Sequence, residues 1–143
     1  MSVVDVLSKT APPTVELRMP QVEGERLDAE TFRQRYEAMP PSKTAELIGG
    51  FVFMPSPMSY EYDRAEHRAN LWLERYEEAT PGVDLSGGAW LFLDKLVLTR
   101  PDVLLRIRED YGGQSALRDG LLRGTPELVV EVAKMTCISD WPH

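Results

Sequence analysis

The chain has 143 residues, 43% of them apolar and 27% charged, which fits one ordinary globular domain large enough to bury its own core. A single cysteine, Cys137, excludes an internal disulfide framework and a four-cysteine zinc module. Acidic residues outnumber basic ones by 23 to 16, and the resulting net charge of −7 argues against non-specific coating of nucleic acid, because Lys and Arg drive binding to phosphates.

The N-terminal residues 1–26 are predicted to form a loosely ordered arm, since they carry three prolines and no regular apolar spacing. Residues 27–143 are predicted to form the folded domain. No basic flank followed by an apolar stretch opens the chain, and no apolar run approaches the ~18 residues of a membrane span. We therefore expect a cytoplasmic protein that makes no membrane contact.

Two helices and a hairpin are predicted in the first part of the domain. The segment 27–40 favours a helix that is N-capped by Asp28 and ends at a pair of prolines. Gly49–Gly50, between two short apolar runs, indicates a hairpin turn. Apolar residues at helical spacing then predict a long amphipathic helix. We interpret its aromatic residues as part of the core in preference to a platform for base stacking. The stripe consists of Tyr62, Ala65, Ala69, Trp72, Leu73, Tyr76 and Ala79.

Three strands are predicted in the second part, at 89–98, 102–107 and 128–133, with a polar loop at 108–120. This order of elements predicts an α/β or α+β domain whose mixed sheet packs on the long helix. The ten residues after Ala133 show neither helical nor strand periodicity. We therefore expect a domain that is incomplete at its C-terminal end.

The polar residues that point to chemistry are carboxylates at apolar strands. Asp102 follows Arg100-Pro101 where a strand is predicted to begin, and Glu131 lies within LVVEVA, five of whose six residues are apolar. A carboxylate inside a buried strand is costly unless it is paired or binds a metal. Two such carboxylates on neighbouring strands can share one Mg²⁺, with water and phosphate oxygens completing its coordination.

The ordered set of motifs resembles a known family. AELIGGFVFMPSPMS, a long helix, ATPGVDL, RPDVLLRI and PELVVEVA together resemble the Uma-two family, assigned as bacterial endonucleases within the restriction-endonuclease-like PD-(D/E)XK superfamily. The resemblance covers about residues 44–133. It implies a restriction-endonuclease-like fold that lacks the family's C-terminal helix and strand. It also implies hydrolysis of DNA phosphodiesters with Mg²⁺ or Mn²⁺ as cofactor.

The resemblance further implies roles for four residues. Asp102 and Glu131 would hold the metal, and Glu46 would be a further acidic site residue. The superfamily's lysine is expected two residues after the glutamate, a position that Ala133 occupies here. Lys134 is therefore the candidate for stabilising transition-state charge, although strand alternation points it to the opposite face and it could be a surface lysine.

Each site residue also has a structural interpretation that the sequence leaves open. Glu131 could pair with Arg106 or Arg123 at a sheet edge. Asp102 could simply begin a strand after a proline, and Glu46 could be a solvated strand residue. These interpretations and the catalytic ones predict different neighbours for each carboxylate.

Alternative functions stay open as well. The main alternative to a nuclease is a non-catalytic interaction module, or a degenerate remnant of the fold, that pairs its open sheet edge with a partner or a second copy. Another phosphoesterase, directed to RNA for example, could use the same carboxylates. The acidic charge predicts weak, salt-sensitive DNA binding, for which one basic cluster could supply a phosphate track. This cluster consists of Arg100, Arg106, Arg108, Arg118 and Arg123.

Overall fold

The computed structural model describes residues 24–55 and 58–133. These residues form two α-helices, α1 (Ala29–Glu37) and α2 (Tyr60–Ala79), a 3₁₀ helix (Glu109–Tyr111) and nine strands. The strands are β1 (Glu46–Ile48), β2 (Phe51–Phe53), β3 (Val83–Ser86), β4 (Leu91–Asp94), β5 (Val97–Thr99), β6 (Val103–Ile107), β7 (Ser115–Arg118), β8 (Leu121–Gly124) and β9 (Leu128–Val130).

Both helices begin at a side chain that caps a free backbone N–H. The predicted cap Asp28 accepts a hydrogen bond from the first turn of α1 at 2.8 Å, and Ser59 does the same for Tyr62 of α2 at 3.3 Å. The predicted hairpin is confirmed as β1–β2. Gly49 and Gly50 have φ of 60° and 83°, the left-handed conformation that a two-residue hairpin turn requires.

The fold is α+β, but its strands form two sheets instead of one. The six-stranded sheet has the order β2-β1-β5-β4-β8-β7 and is mixed, because β4 and β8 run parallel while its other pairs are antiparallel. The three-stranded sheet, β3-β6-β9, is entirely antiparallel. Helix α2 lies against β3 and β6. The prediction that the mixed sheet packs on the long helix is therefore wrong.

The two faces of β6 explain this layering. Val103 and Leu105 pack with Leu73 of α2, whereas Leu104 contacts buried leucines of β4 and β8. Because successive strand residues point to opposite faces, one apolar strand can join two layers. The three-stranded sheet consequently lies between α2 and the six-stranded sheet. Helix α1 packs through Phe32 on β1, β2 and β5 of the larger sheet.

Several strand predictions are wrong in their bounds. The predicted strand 89–98 is two strands, β4 and β5, joined by a tight turn in which Asp94 accepts a hydrogen bond from the Leu96 N–H at 2.7 Å. The predicted loop 108–120 contains β7, which pairs with β8 across a turn at Asp119 and Gly120, both at positive φ. Asp-Gly is a strong hairpin signal that here outweighs the polar composition of the segment. Strand β3 is a further element that the pattern does not predict.

The aromatic stripe of α2 is only partly buried. Trp72 is 72% exposed and Tyr76 is 53% exposed, so their predicted role in the core is wrong. Leu73 is the buried residue of this helix. The face of α2 that packs on the sheet carries Leu73 and Ala69, and Trp72 and Tyr76 lie on the neighbouring side of the helix, in solvent. Neither helix in residues 24–55 and 58–133 combines the length and apolar composition needed to cross a membrane.

The structure also bears on both ends of the predicted domain. Part of the predicted N-terminal arm pairs with β2, since Gly24 N donates to Val52 O and Val52 N donates to Glu25 O, both at 2.9 Å. Strand β9 ends at Val130, so the predicted strand 128–133 is too long. The rest of the arm, residues 1–23, and the predicted C-terminal truncation lie outside the described residues.

Candidate active site

Strands β6 and β9 bring Asp102 and Glu131 to the same end of one ladder. Val103 is opposite Val130 in this antiparallel pair, and the two carboxylate residues are the next ones along. The Val132 N–H donates to Asp102 Oδ2 at 2.7 Å, which continues the contact beyond the last strand pair. The two predicted metal ligands are therefore neighbours. Glu131 follows the strand, however, and is an exposed residue instead of a buried strand residue as predicted.

The second oxygen of Asp102 is bound by a residue from helix α2. The hydroxyl of Tyr62, in the first turn of this helix, donates a hydrogen bond to Asp102 Oδ1. Burial, this hydrogen bond and the negative charges of Asp102, Glu66 and Glu131 raise the pKa of the Tyr62 phenol. The phenol is therefore a protonated donor at neutral pH.

The carboxyl group of Glu131 is in an environment that disfavours its charge. Partial burial, followed by the negative charges of Asp102 and Glu46, raises the pKa of Glu131 to about 7. Near neutral pH the Glu131 carboxyl is therefore protonated part of the time.

Glu46 approaches the pair from the other sheet. It lies on β1, and its Oε1 accepts a hydrogen bond from the backbone N–H of Arg100 at 2.8 Å. This bond ties the six-stranded sheet to the segment that leads into Asp102. Glu46 thus has a structural contact and also contributes charge to the site, so it is more than a solvated strand residue.

Besides Tyr62, two polar residues of α2 lie near Asp102 and are not predicted from the sequence. Glu66 lies one turn after Tyr62, and partial burial together with the charges of Asp102 and Asp63 raises its pKa. Asn70, another turn on, is half-buried next to Gly87, which also borders the Asp102 carbonyl. The signal for this polar face is the spacing of four between Tyr62, Glu66 and Asn70, which places them on one side of a helix.

Glu131 does not form the ion pair with Arg106 or Arg123 that was its structural interpretation. Arg106 is buried, pairs with Asp84 at 2.9 Å and donates to the Ser115 carbonyl at 3.2 Å. Arg123 lies over the ring of Phe92. No ion pair within the part of the chain that the structure describes includes Asp102 or Glu131.

The five arginines of the basic cluster do not form one track. Three of them line an open cleft of about 480 Å³, and each has a carboxylate oxygen within 3.3 Å. These pairs are Arg106–Asp84, Arg108–Asp110 and Arg118–Glu109. The other two lie over aromatic rings. These pairs are Arg100–Trp90 and Arg123–Phe92. Their charge is thus largely neutralised or directed at protein groups.

The donor set at Asp102 and Glu131 suits a hard divalent cation. Within residues 24–55 and 58–133, no group of three or more Asp, Glu, His or Cys side chains is arranged to hold a metal ion. Two carboxylates nevertheless fit Mg²⁺, because this ion commonly takes one or two carboxylates and completes its shell with water and substrate phosphate. Lys134, the predicted cationic member of the site, lies outside the described residues.

The comparisons with known proteins do not assign a family. No protein-family model matches the chain, and no curated protein is significantly similar to it. The resemblance to the Uma-two family therefore depends on the sequence motifs alone, and the geometry around Asp102 carries the functional argument.

Proposed function

We propose that this protein is a metal-dependent phosphodiesterase of the restriction-endonuclease-like type, and that its substrate is DNA. The observation that carries the proposal is the meeting of Asp102 and Glu131 at the end of the β6–β9 ladder, where their charges repel. Such a pair costs stability unless something compensates for it, and a divalent cation shared by both carboxylates would do so.

The proposed site gives each residue a separate task. Asp102 and Glu131 would hold Mg²⁺ or Mn²⁺, and Glu46 would add negative charge beside them. When bound, the cation would polarise a phosphoryl oxygen and lower the pKa of a coordinated water. Lys134 stays the predicted group for transition-state charge.

The test is a thermal melt of the full chain in EDTA and in Mn²⁺ or Mg²⁺. A cation at a hundredfold excess over its Kd stabilises the folded state by about 2.7 kcal/mol. We therefore expect the cation to raise the Tm of the wild type and to leave the Tm of Asp102→Ala/Glu131→Ala unchanged. The control is Glu74→Ala/Glu78→Ala, which removes two exposed carboxylates from α2 and should keep the wild-type response.

The shift between EDTA and metal is compared within each variant, because Asp102→Ala also removes hydrogen bonds from Tyr62 and Val132. A wild type without any metal response would refute the metal site. A response that persists in the double variant would refute these two ligands. A metal response justifies plasmid nicking assays, with an RNA of the same sequence to separate DNA from RNA cleavage.

A second candidate is an interaction module that pairs with a second copy of this chain. In the described part of the chain, β9 is the outer strand of its sheet, and its residues Leu128 and Val129 are exposed. Exposed apolar edges of this kind favour pairing with another strand. Light scattering on the wild type and on Val129→Lys tests it, since a charged edge residue should dissociate such a dimer. A monomeric wild type would refute this candidate.

A further inference from the structure

The contact between Tyr62 and Asp102 joins two distant parts of the chain at the proposed site. Asp102 has both carboxylate oxygens occupied by donors, the Tyr62 hydroxyl on Oδ1 and the Val132 N–H on Oδ2. One donor comes from α2 and the other from the segment after β9. The orientation of this carboxylate is therefore set by two elements that are distant from it in sequence.

Tyr62 is placed for this contact by the start of its helix. Its own backbone N–H donates to the N-cap Ser59, so the residue is fixed in the first turn. Tyr62 is half-buried, whereas Tyr60, two residues earlier, is 70% exposed. The two tyrosines thus share one helical turn but differ in environment.

Other contacts also attach α2 to the sheet. Leu73 supplies the buried apolar contact, and Glu77 Oε1 accepts a hydrogen bond from the Leu85 N–H of β3 at 2.8 Å. A phenol contributes a single neutral donor. Since each carboxylate oxygen offers two acceptor positions, one donor on each oxygen leaves the other positions open to a cation.

We propose that Tyr62 is a positioning residue, which holds the Asp102 carboxylate in the orientation that lets Asp102 and Glu131 share a divalent cation. This inference rests on the proposed function, because it assigns the cation to the same two carboxylates. Groups that orient metal ligands through hydrogen bonds change metal affinity without touching the metal. Tyr62 would act on the cation in this way.

The experiment is calorimetric titration of the full chain with Mn²⁺, on the wild type, Tyr62→Phe and the control Tyr60→Phe. We expect Tyr62→Phe to weaken Mn²⁺ binding by about 10- to 100-fold, the usual effect of losing such a group. The control should bind as the wild type does. Tyr62→Phe keeps the ring, so in EDTA its Tm should stay close to that of the wild type.

The outcomes separate this inference from the proposed function. A wild type that binds no Mn²⁺ overturns the proposed function and the inference together. If the wild type and Tyr62→Phe bind Mn²⁺ equally well, only the inference is overturned, and a lower Tm in EDTA would then assign Tyr62 a purely structural role.

A second measurement covers the case in which Tyr62→Phe does not fold. Wild-type protein labelled with ¹³C at the tyrosine Cζ atoms is titrated with Mg²⁺. The other four tyrosines are assigned by single Tyr→Phe variants, which leaves the remaining signal to Tyr62; these four are Tyr36, Tyr60, Tyr76 and Tyr111. The Tyr62 signal should shift as the ion binds, while the signals of the exposed Tyr60 and Tyr76 stay in place. Saturation with Mg²⁺ that leaves the Tyr62 signal unchanged would overturn the inference.

Discussion

Replacing Glu131 by Gln should stabilise this protein at alkaline pH in the absence of metal. The pKa of Glu131 is raised from 4.5 to about 7 in the folded chain, so folding binds a proton. The stability that depends on this proton is present below pH 4.5 and is lost as the pH rises to 7. Glutamine has a similar shape and no charge, so it avoids the loss.

The size of the effect is limited by solvent. A pKa difference of this size corresponds to an upper limit of roughly 3 kcal/mol. Glu131 is an exposed residue, however, so water and salt screen its neighbours and we expect about 1 kcal/mol. In a domain of this size that is a rise in Tm of roughly 3 °C.

The assay is urea unfolding of the wild type and Glu131→Gln in EDTA, near pH 4 and near pH 8. Other carboxylates titrate equally in both proteins, so only the difference between them is interpreted. The variant should be more stable near pH 8, and the difference should nearly vanish near pH 4. Equal stability near pH 8, or an advantage that does not depend on pH, would refute the electrostatic reasoning. Added Mn²⁺ should reverse the order by stabilising the wild type alone.

Three further perturbations test the packing and the charge of the site. Leu73→Ala should lower the free energy of unfolding by about 2–4 kcal/mol, because it leaves a cavity under α2. The exposed control Trp72→Ala should change this free energy by no more than about 0.5 kcal/mol. Urea unfolding measures both, and equal losses would refute the layering described for this helix. Gly113→Ala should lower the Tm by several degrees, because its Cβ would lie 1.8 Å from the Ile107 carbonyl oxygen. Gly112→Ala meets no atom within 4 Å but has a φ of 87°, so it measures backbone strain without a clash and should lower the Tm less; an equal loss would contradict the clash. Glu46→Gln should move the pKa of Glu131 back toward its ordinary value, since the charge of Glu46 is one cause of the shift. NMR titration of the Glu131 carboxyl carbon measures this, and an unchanged midpoint would contradict it.

Turns, helix caps and helix positions that depend on neighbouring residues can be predicted from this sequence. The Asp28 cap, the glycine pair of the β1–β2 hairpin and the position of α2 all follow from residues within a few positions of each other. The same reasoning could have found the β7–β8 hairpin, because Asp119–Gly120 carries its signal within two residues. Polar composition over the surrounding segment obscured that signal.

The pairing of strands and the burial of helix faces are decided by contacts across the chain. The apolar residues of β6 are equally compatible with one covered sheet or with two layers, and only the tertiary structure shows that Leu104 faces one neighbour while Val103 and Leu105 face another. Likewise, helical spacing identifies an apolar stripe on α2 but not which part of that stripe packs on the sheet. Leu73 is buried there, whereas Trp72 and Tyr76 are exposed.

The candidate site likewise combines residues that the sequence identifies with contacts that only the tertiary structure shows. The sequence by itself singled out Asp102 and Glu131, because acidic residues at apolar strands are costly unless they are paired or bind a metal. Glu46 was indicated only by the resemblance to the Uma-two family. The proximity of these three carboxylates depends on the register of β6 with β9 and on the hydrogen bond between Glu46 and Arg100, which spans 54 residues. The sequence pattern assigned Tyr62 to the apolar stripe, because its aromatic ring falls at helical spacing with the other apolar residues. Only the folded chain shows that its hydroxyl contacts Asp102. A one-dimensional pattern records which residues share a face, while the partner of that face is fixed by packing over the whole domain.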